Sequence, residues 1–362
     1  MRFLTKKVLS LKVIVFIHVV FSIALIMAWT IIKRNWDFSV TSFPNESFYM
    51  TGGYGEFNMA AVLIGALFKY LHINHLTFYL INVLMSTTTV IVFFYMARTC
   101  LTRKLSLYVT GIFALNPEFA FYNNFILKEN LLILVIVVVM YFFFKSLATN
   151  SSTYKILFCL FLPLIPILRE SLIFMGILPL VFFSKSTRRF IYLWGTLALL
   201  IYEKITLFFT SFCESYWISH IGDYGATKAI FTDIYGVPTA VTFGTLFSSP
   251  MLFMEYIIRS LLYYFRPGWN SGIILNSFLV PYTLLVIYIF IASFQFRHHL
   301  TSNYRTAYLL IAFIVIVVSM ALVIYDPIER YRYSVFQLSF TLLILNLKGY
   351  QERLSGICIT NE

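Results

Sequence analysis

A long apolar run stands directly behind a basic N-terminus. Arg2, Lys6, Lys7 and Lys12 precede a predominantly apolar stretch from Val13 to Ile32. About 20 such residues in a helix cross a bilayer core of about 30 Å. The run is too long for the apolar region of a signal peptide, and no A-x-A-like site closes it. It therefore reads as an uncleaved first span. Similar runs recur near 76–97, 105–121, 129–145, 155–168, 171–184, 190–212, 275–296, 305–325 and 333–347. Composition closes off the alternatives. Only 12% of residues are charged and the mean hydropathy is +0.84, whereas a soluble domain carries about 25% charged residues. Disordered chains are poor in aromatics, and this one has 39 Phe and 25 Tyr. The expected fold class is all-α: a polytopic transmembrane helical bundle of about ten spans with outward-facing interfacial helices. One transmembrane domain is expected over 1–348, with a short cytoplasmic tail at 349–362.

Charge orients this bundle. Basic residues cluster between alternate spans: Arg98 with Arg103 and Lys104, Lys145 with Lys155, Lys185 with Arg188 and Arg189, Arg297 with Arg305, and Lys348 with Arg353. With the N-terminal four, 16 of the 27 basic residues fall on one side, joined by two of the 15 acids, Glu352 and Glu362. Lys/Arg-rich loops face the cytoplasm, so both termini are expected there. The same asymmetry accounts for the net charge of +12 without a nucleic-acid partner. Cys100, Cys159, Cys213 and Cys358 lie far apart, fit no metal or disulfide spacing, and read as small packing residues.

Two segments strain the pattern. Residues 156–184 hold two short apolar runs split by Arg169-Glu170. A hairpin with that pair at its outward tip keeps Lys185, Arg188 and Arg189 inside; a single kinked span does not. Residues 251–274 read as an interfacial or re-entrant helix, because a full span there reverses the parity of everything after it. The long outward loops are then 33–75 and 213–274. The first carries an amphipathic run from Phe57 to Leu71 that suits the membrane surface. Trp29, Trp36, Trp217 and Trp269 fall where an outer aromatic belt would place them.

Ionisable groups at membrane depth are expensive and mark function by default. Asp37 and Glu46 follow the first span, and either can act as a general base on a hydroxyl; the bland alternative is a solvated loop acid. Asn116-Pro117-Glu118, Tyr122-Asn123-Asn124 and Lys128-Glu129 form a second group. Asn116 and Pro117 break one helix and open another, and Lys128-Glu129 start the fourth span, as a helix anchor or as the lining of an outward cavity. Arg169 pairs with a neighbouring carboxylate or with a lipid phosphate. The segment Glu329-Arg330-Tyr331-Arg332 joins two confident spans, where its arginines serve as snorkelling anchors or as phosphate ligands. His72 and His75 stand at helical spacing but make a poor metal site without a third ligand, and no metal is expected. His298-His299 reads as a solvated face, and Glu203-Lys204 as an internal ion pair.

The arrangement resembles the GT-C superfamily of polytopic glycosyltransferases, in particular bacterial members that use polyprenyl-linked sugars. The likeness is carried by the acid-bearing first outward loop, the surface helix, the Pro117-Glu118…Lys128-Glu129 segment and the Glu-Arg-Tyr-Arg run before the last helix. It runs through about 1–347 as architecture, on short motifs. In the family's Asp-Glu-x-x-Tyr pattern, Asn45-Glu46-Ser47-Phe48-Tyr49 departs at the first acid, which leaves the base open between Glu46 and Asp37. No Asp-x-Asp motif occurs, unlike in the dolichol-dependent mannosyltransferases of the endoplasmic reticulum.

The resemblance implies an outward-facing site in a bacterial inner membrane. Glu46 or Asp37 would deprotonate an acceptor hydroxyl of a glycan or lipid-linked acceptor. The oxygen would displace the polyprenyl (di)phosphate of the donor with inversion. Arg330, Arg332 and Arg169 would hold the departing phosphate, with Tyr331, Glu118, Lys128 and Glu129 around the substrate, and no cofactor is implied. An O-antigen or capsule polymerase that moves whole repeat units is the alternative. A lipid-linked oligosaccharide flippase or other transporter comes third, since no internal repeat is visible.

Overall fold

A computed structural model describes residues 10–34, 37, 50, 59–126, 128–168, 170–183, 187, 189, 272–325 and 329–359. Among them every regular element is a helix, and three helices are long and apolar enough to cross a membrane: Leu11–Ile31, His75–Arg98 and Glu129–Thr149. In chain order, α1 is Leu11–Arg34, α2 Met59–Leu71, α3 His75–Arg98, α4 Arg103–Ala114, α5 Pro117–Phe121, α6 Glu129–Thr149, α7 Ser152–Phe161 and α8 Leu164–Leu168. After these come α9 Gly272–Phe294, α10 Ser302–Tyr325 and α11 Glu329–Ile359. Tighter 3₁₀ turns cover Tyr122–Asn124, Glu170–Phe182 and Gln295–His299. The expected span at 190–212, residues 251–271 of the expected interfacial helix, and Glu46, Arg169, Glu203, Lys204, Trp36, Trp217 and Trp269 lie outside the described residues; 272–274 begin α9.

The amphipathic run of the first loop is a helix, α2. It ends because His72 takes the left-handed conformation, with φ of 49°, in which a side chain costs about 1–2 kcal/mol. Asn74 then caps α3, its Oδ1 accepting the Thr77 N–H at 2.8 Å. His72 is exposed, so its place is a helix stop, while Phe68 stacks on Phe78 at 5.6 Å to close the corner. Asn150 ends α6 the same way, at φ 50°, and its Oδ1 accepts from Lys155 Nζ at 2.7 Å.

Residues 152–182 form the hairpin that the split apolar runs predict. Phe182, at the far end of the 3₁₀ segment, lies 5.7 Å from Phe158 of α7 and beneath Lys155 Nζ, also at 5.7 Å. The chain has therefore returned to its starting level by Phe182. Cys159 faces outward from α7, whereas Cys100 is buried; the packing expectation holds for Cys100 and fails for Cys159.

The basic loops gather at one end of the bundle. Gln351 Nε2 of α11 donates to Thr102 Oγ1 between α3 and α4 at 2.9 Å. Arg305 donates to the His298 carbonyl at 2.8 Å, and Glu352 Oε2 accepts the Thr301 N–H at 3.3 Å. Lys348 pairs with Glu352 at 3.0 Å. His298 and His299 are exposed, as a solvated face requires. Gly349 makes this end possible: a Cβ there would stand 2.1 Å from the Phe296 carbonyl oxygen.

Candidate functional site: a polar turn inside the bundle

Between α3 and α6 the chain comes back only part of the way. At 1.5 Å per residue, α3 is about 36 Å long and the 12-residue α4 only about 18 Å. α4 stops at Ala114 because Asn116 and Pro117 cannot continue it. Pro lacks the N–H and suits a first helical turn, and α5 opens on Pro117 as its sequence predicts. The chain then turns through Tyr122–Asn124 and enters α6 at Glu129. Asn82 of α3 and Asn130 of α6 both reach Asn123, so the turn sits level with Asn82, about 10 Å inside the start of α3. Lys128 and Glu129 thus open α6 within the bundle, deeper than the outer boundary where the sequence pattern places them.

Irregular backbone at membrane depth survives only where protein groups satisfy it, and here His18, Asn82 and Asn124 do so, with Asn123 and Asn130 bracing them. His18 of α1 lies at the middle of α3: its Nδ1–H donates to the Ala114 carbonyl at 2.9 Å, and its Nε2 stands 3.0 Å from Ser86 Oγ. A carbonyl can only accept, so the proton on this face is on Nδ1. Asn82 Nδ2 donates to the Phe125 carbonyl at 2.7 Å and, more weakly, to that of Asn123 at 3.5 Å. Asn124 Nδ2 donates to the Phe121 carbonyl at 2.8 Å. Asn123 is the hub: its Nδ2 donates to Ser22 Oγ of α1 at 2.9 Å, and its Oδ1 accepts from Asn130 Nδ2 at 2.9 Å. All of these polar side chains, with Asn116 and Glu129, are at most 1% exposed, so the turn is sealed from solvent.

Aromatic rings make the seal. Trp29 packs edge-to-face with Phe121 and Phe125 at 4.9 and 5.7 Å, and so turns inward instead of joining an outer belt. Phe119 packs on His18 at 5.2 Å. Phe113 stacks on Phe93 at 4.0 Å, with Phe340 of α11 edge-on at 5.4 Å.

The sequence-derived candidates divide accordingly. Lys128 and Glu129 belong to the turn, half-buried and buried respectively, and the backbone of Glu118 enters it on α5. Arg330, Tyr331 and Arg332 lie on the first turns of α11. Phe340 is level with Phe93, so their backbone stands about 12–15 Å beyond that level, where Ser86 and Asn82 stand about 10–16 Å beyond it on α3. Asp37 is exposed; Glu46 and Arg169, and the side chains of Glu118 and residues 330–332, lie outside the described residues. His18, Asn82 and Asn130 were not singled out from the sequence. A signal was available for two of them: His18 and Asn82 each interrupt an otherwise apolar run, where polar groups are expensive, whereas Asn130 merely follows Lys128-Glu129.

Among the described residues no three of His, Cys, Asp and Glu converge as metal ligands would. No family model, curated protein or solved structure matches the chain.

Proposed function

We propose that the protein is a membrane glycosyltransferase. It moves a sugar or oligosaccharide from a polyprenyl-(di)phosphate carrier to a glycan or lipid-linked acceptor at the outer face of a bacterial cytoplasmic membrane. In this reading the bundle has ten spans and both termini face the cytoplasm with the basic loops. Glu46 or Asp37 is the base, and Arg330, Arg332 and Arg169 neutralise the leaving phosphate, as cationic clamps do for developing charge. One observation carries the reading: an ionisable, asparagine-rich turn bearing Glu118, Lys128 and Glu129 lies level with the Arg330-Tyr331-Arg332 start of α11. The basic loops stand at the other end.

The half-length α4 favours one second reading. Broken helices at mid-depth bind substrates and ions in carriers, so a lipid-linked oligosaccharide transporter is the competitor. Deletion of the gene, with a gel of the surface polysaccharide and complementation by Glu46→Gln, Asp37→Asn and Arg332→Ala, separates them. Loss of the long-chain ladder with a single capped repeat unit identifies a polymerase. A ladder with shifted bands identifies a decorating transferase. Full complementation by both carboxylate variants removes the proposed base, and an unchanged gel favours another transporter role or a different glycan.

A further inference from the structure

Three segments far apart in the sequence hold their cations on one surface. Gln351 of α11 reaches Thr102 between α3 and α4 at 2.9 Å, and Glu352 reaches the Thr301 N–H at the start of α10 at 3.3 Å. Arg353, next on α11, lies over the Phe296 ring of the turn between α9 and α10 at 5.6 Å. These contacts bring Arg98, Arg103, Lys104, Arg297, Arg305 and Arg353 to the same end of the bundle, and among the described residues none of the six has a carboxylate partner. Glu352 is the single described acid at this end, and Lys348 and the Thr301 N–H occupy its two oxygens. Arg103 and Lys104 open α4, and Arg305 stands on the first turn of α10, where the helix dipole disfavours cations. Orienting the spans asks for basic residues near their ends. It does not ask for them at helix starts, or for three segments to gather them on one surface.

From this surface we infer a docking site for anionic phospholipid headgroups, in the leaflet that the basic end of the bundle meets. Exposed apolar side chains decide for lipid over a soluble anion. Four of the cations stand at helix ends with an exposed apolar side chain three or four residues further in: Tyr95 with Arg98, Tyr108 with Lys104, Phe294 with Arg297, and Leu309 with Arg305. Residues at that spacing are neighbours on one helix face, and the Arg297 guanidinium lies 3.7 Å over the Phe294 ring. Each pair therefore sets a cation at the rim and an apolar group beneath it. A phospholipid carries the matching order, a phosphate at the rim and an acyl chain below. Guanidinium groups suit phosphate oxygens, and basic pockets between spanning helices hold anionic headgroups in this way. A soluble anion would use the charge alone.

The test is native mass spectrometry of the full chain in detergent, titrated separately with phosphatidylglycerol and with phosphatidylcholine of the same acyl chains. Phosphatidylglycerol should bind more tightly by at least about fivefold, the worth of one Lys or Arg near an anionic lipid surface. Arg103→Gln combined with Lys104→Gln should lower its affinity by at least that factor, and Arg353→Gln, on another segment, should lower it as well. Lys69→Gln, on α2 at the other end of α3, should leave it unchanged. Equal affinity for the two lipids would overturn the inference. So would an unchanged preference in the basic-end variants, or an equal loss in Lys69→Gln. Displacement of phosphatidylglycerol by millimolar inorganic phosphate would give the surface to a soluble anion and overturn the assignment to lipid. If the double variant is not monodisperse, Arg353→Gln alone decides.

Discussion

Replacing His18 with Phe isolates one hydrogen bond at the centre of the bundle. The ring stays, so the packing on Phe119 at 5.2 Å is retained. Ser86 loses its contact with Nε2 but keeps the Val83 carbonyl at 3.0 Å, so that side of the exchange costs little. The loss falls on the Ala114 carbonyl, at the C-terminal end of α4, which His18 serves at 2.9 Å. A buried carbonyl stripped of its donor costs about 1–3 kcal/mol. The average interhelical hydrogen bond in a membrane bundle is worth only about 0.6 kcal/mol, because the unfolded chain in the bilayer also finds partners. The higher range applies here, since Ala114 sits at a helix end with no next turn to supply an alternative. His18→Phe should therefore lose about 1–3 kcal/mol, while His18→Gln, which retains an N–H, should recover most of it. Unfolding of the purified protein in graded detergent denaturation gives the difference directly. Equal stability of wild type and His18→Phe would refute the view that the broken helix depends on its polar partners.

Other consequences are local. Gly349→Ala gains about 1 kcal/mol of helix propensity. It nevertheless forces the Phe296 backbone away from 2.1 Å, and overpacking of that kind costs about 1–3 kcal/mol; thermal unfolding should show net destabilisation. Gly176→Ala, with nothing within 4 Å of the added carbon, should not be destabilised by contact. Burial pushes the Cys100 thiol from its ordinary 9.0 up to about 11. Stability contributed by this group is present below pH 9 and is lost as pH rises towards 11. Alkylation followed by mass spectrometry should thus find Cys159 modified in the folded protein and Cys100 only after unfolding.

The sequence pattern reads well wherever one residue decides the local backbone. Pro117 opens a helix, Lys128-Glu129 start another, and the two short apolar runs of 156–184 fold back as a hairpin. It reads poorly where depth matters. Residues 105–121 are apolar enough to pass for a span, and hydropathy alone does not reveal that the helix stops half-way at Asn116. The asparagines that make the stop tolerable sit on other helices, and their pairing is a property of packing. Asn82 and His18 carry the complementary information: a polar residue in the middle of a spanning run needs a partner at the same depth, and a broken helix is one source of partners. The Arg330-Tyr331-Arg332 segment reads in sequence as a loop before the last helix, but it forms the first turns of α11, and its level opposite the turn follows only from the contact between Phe340 and Phe93.

A sealed turn and the proposed outward-facing site make opposite demands, and Lys128 is where they meet. Asn123, Asn124 and Asn130 are at most 1% exposed, whereas Lys128 is half-buried. In the proposed reading, substrate from the outer face reaches the site along the Lys128 side of the turn, over the start of α6. In a background with the native cysteines replaced, Lys128→Cys should react with a membrane-impermeant maleimide added outside intact cells. Asn124→Cys should stay protected until the protein is denatured. Protection of both positions would close the outer route and remove Lys128 from the substrate path. Reaction of Lys128→Cys only from the cytoplasmic side would invert the bundle, and the charge argument for its orientation would fail with it. Equal reaction of both positions would mean that the asparagine cluster lines an open aqueous cavity.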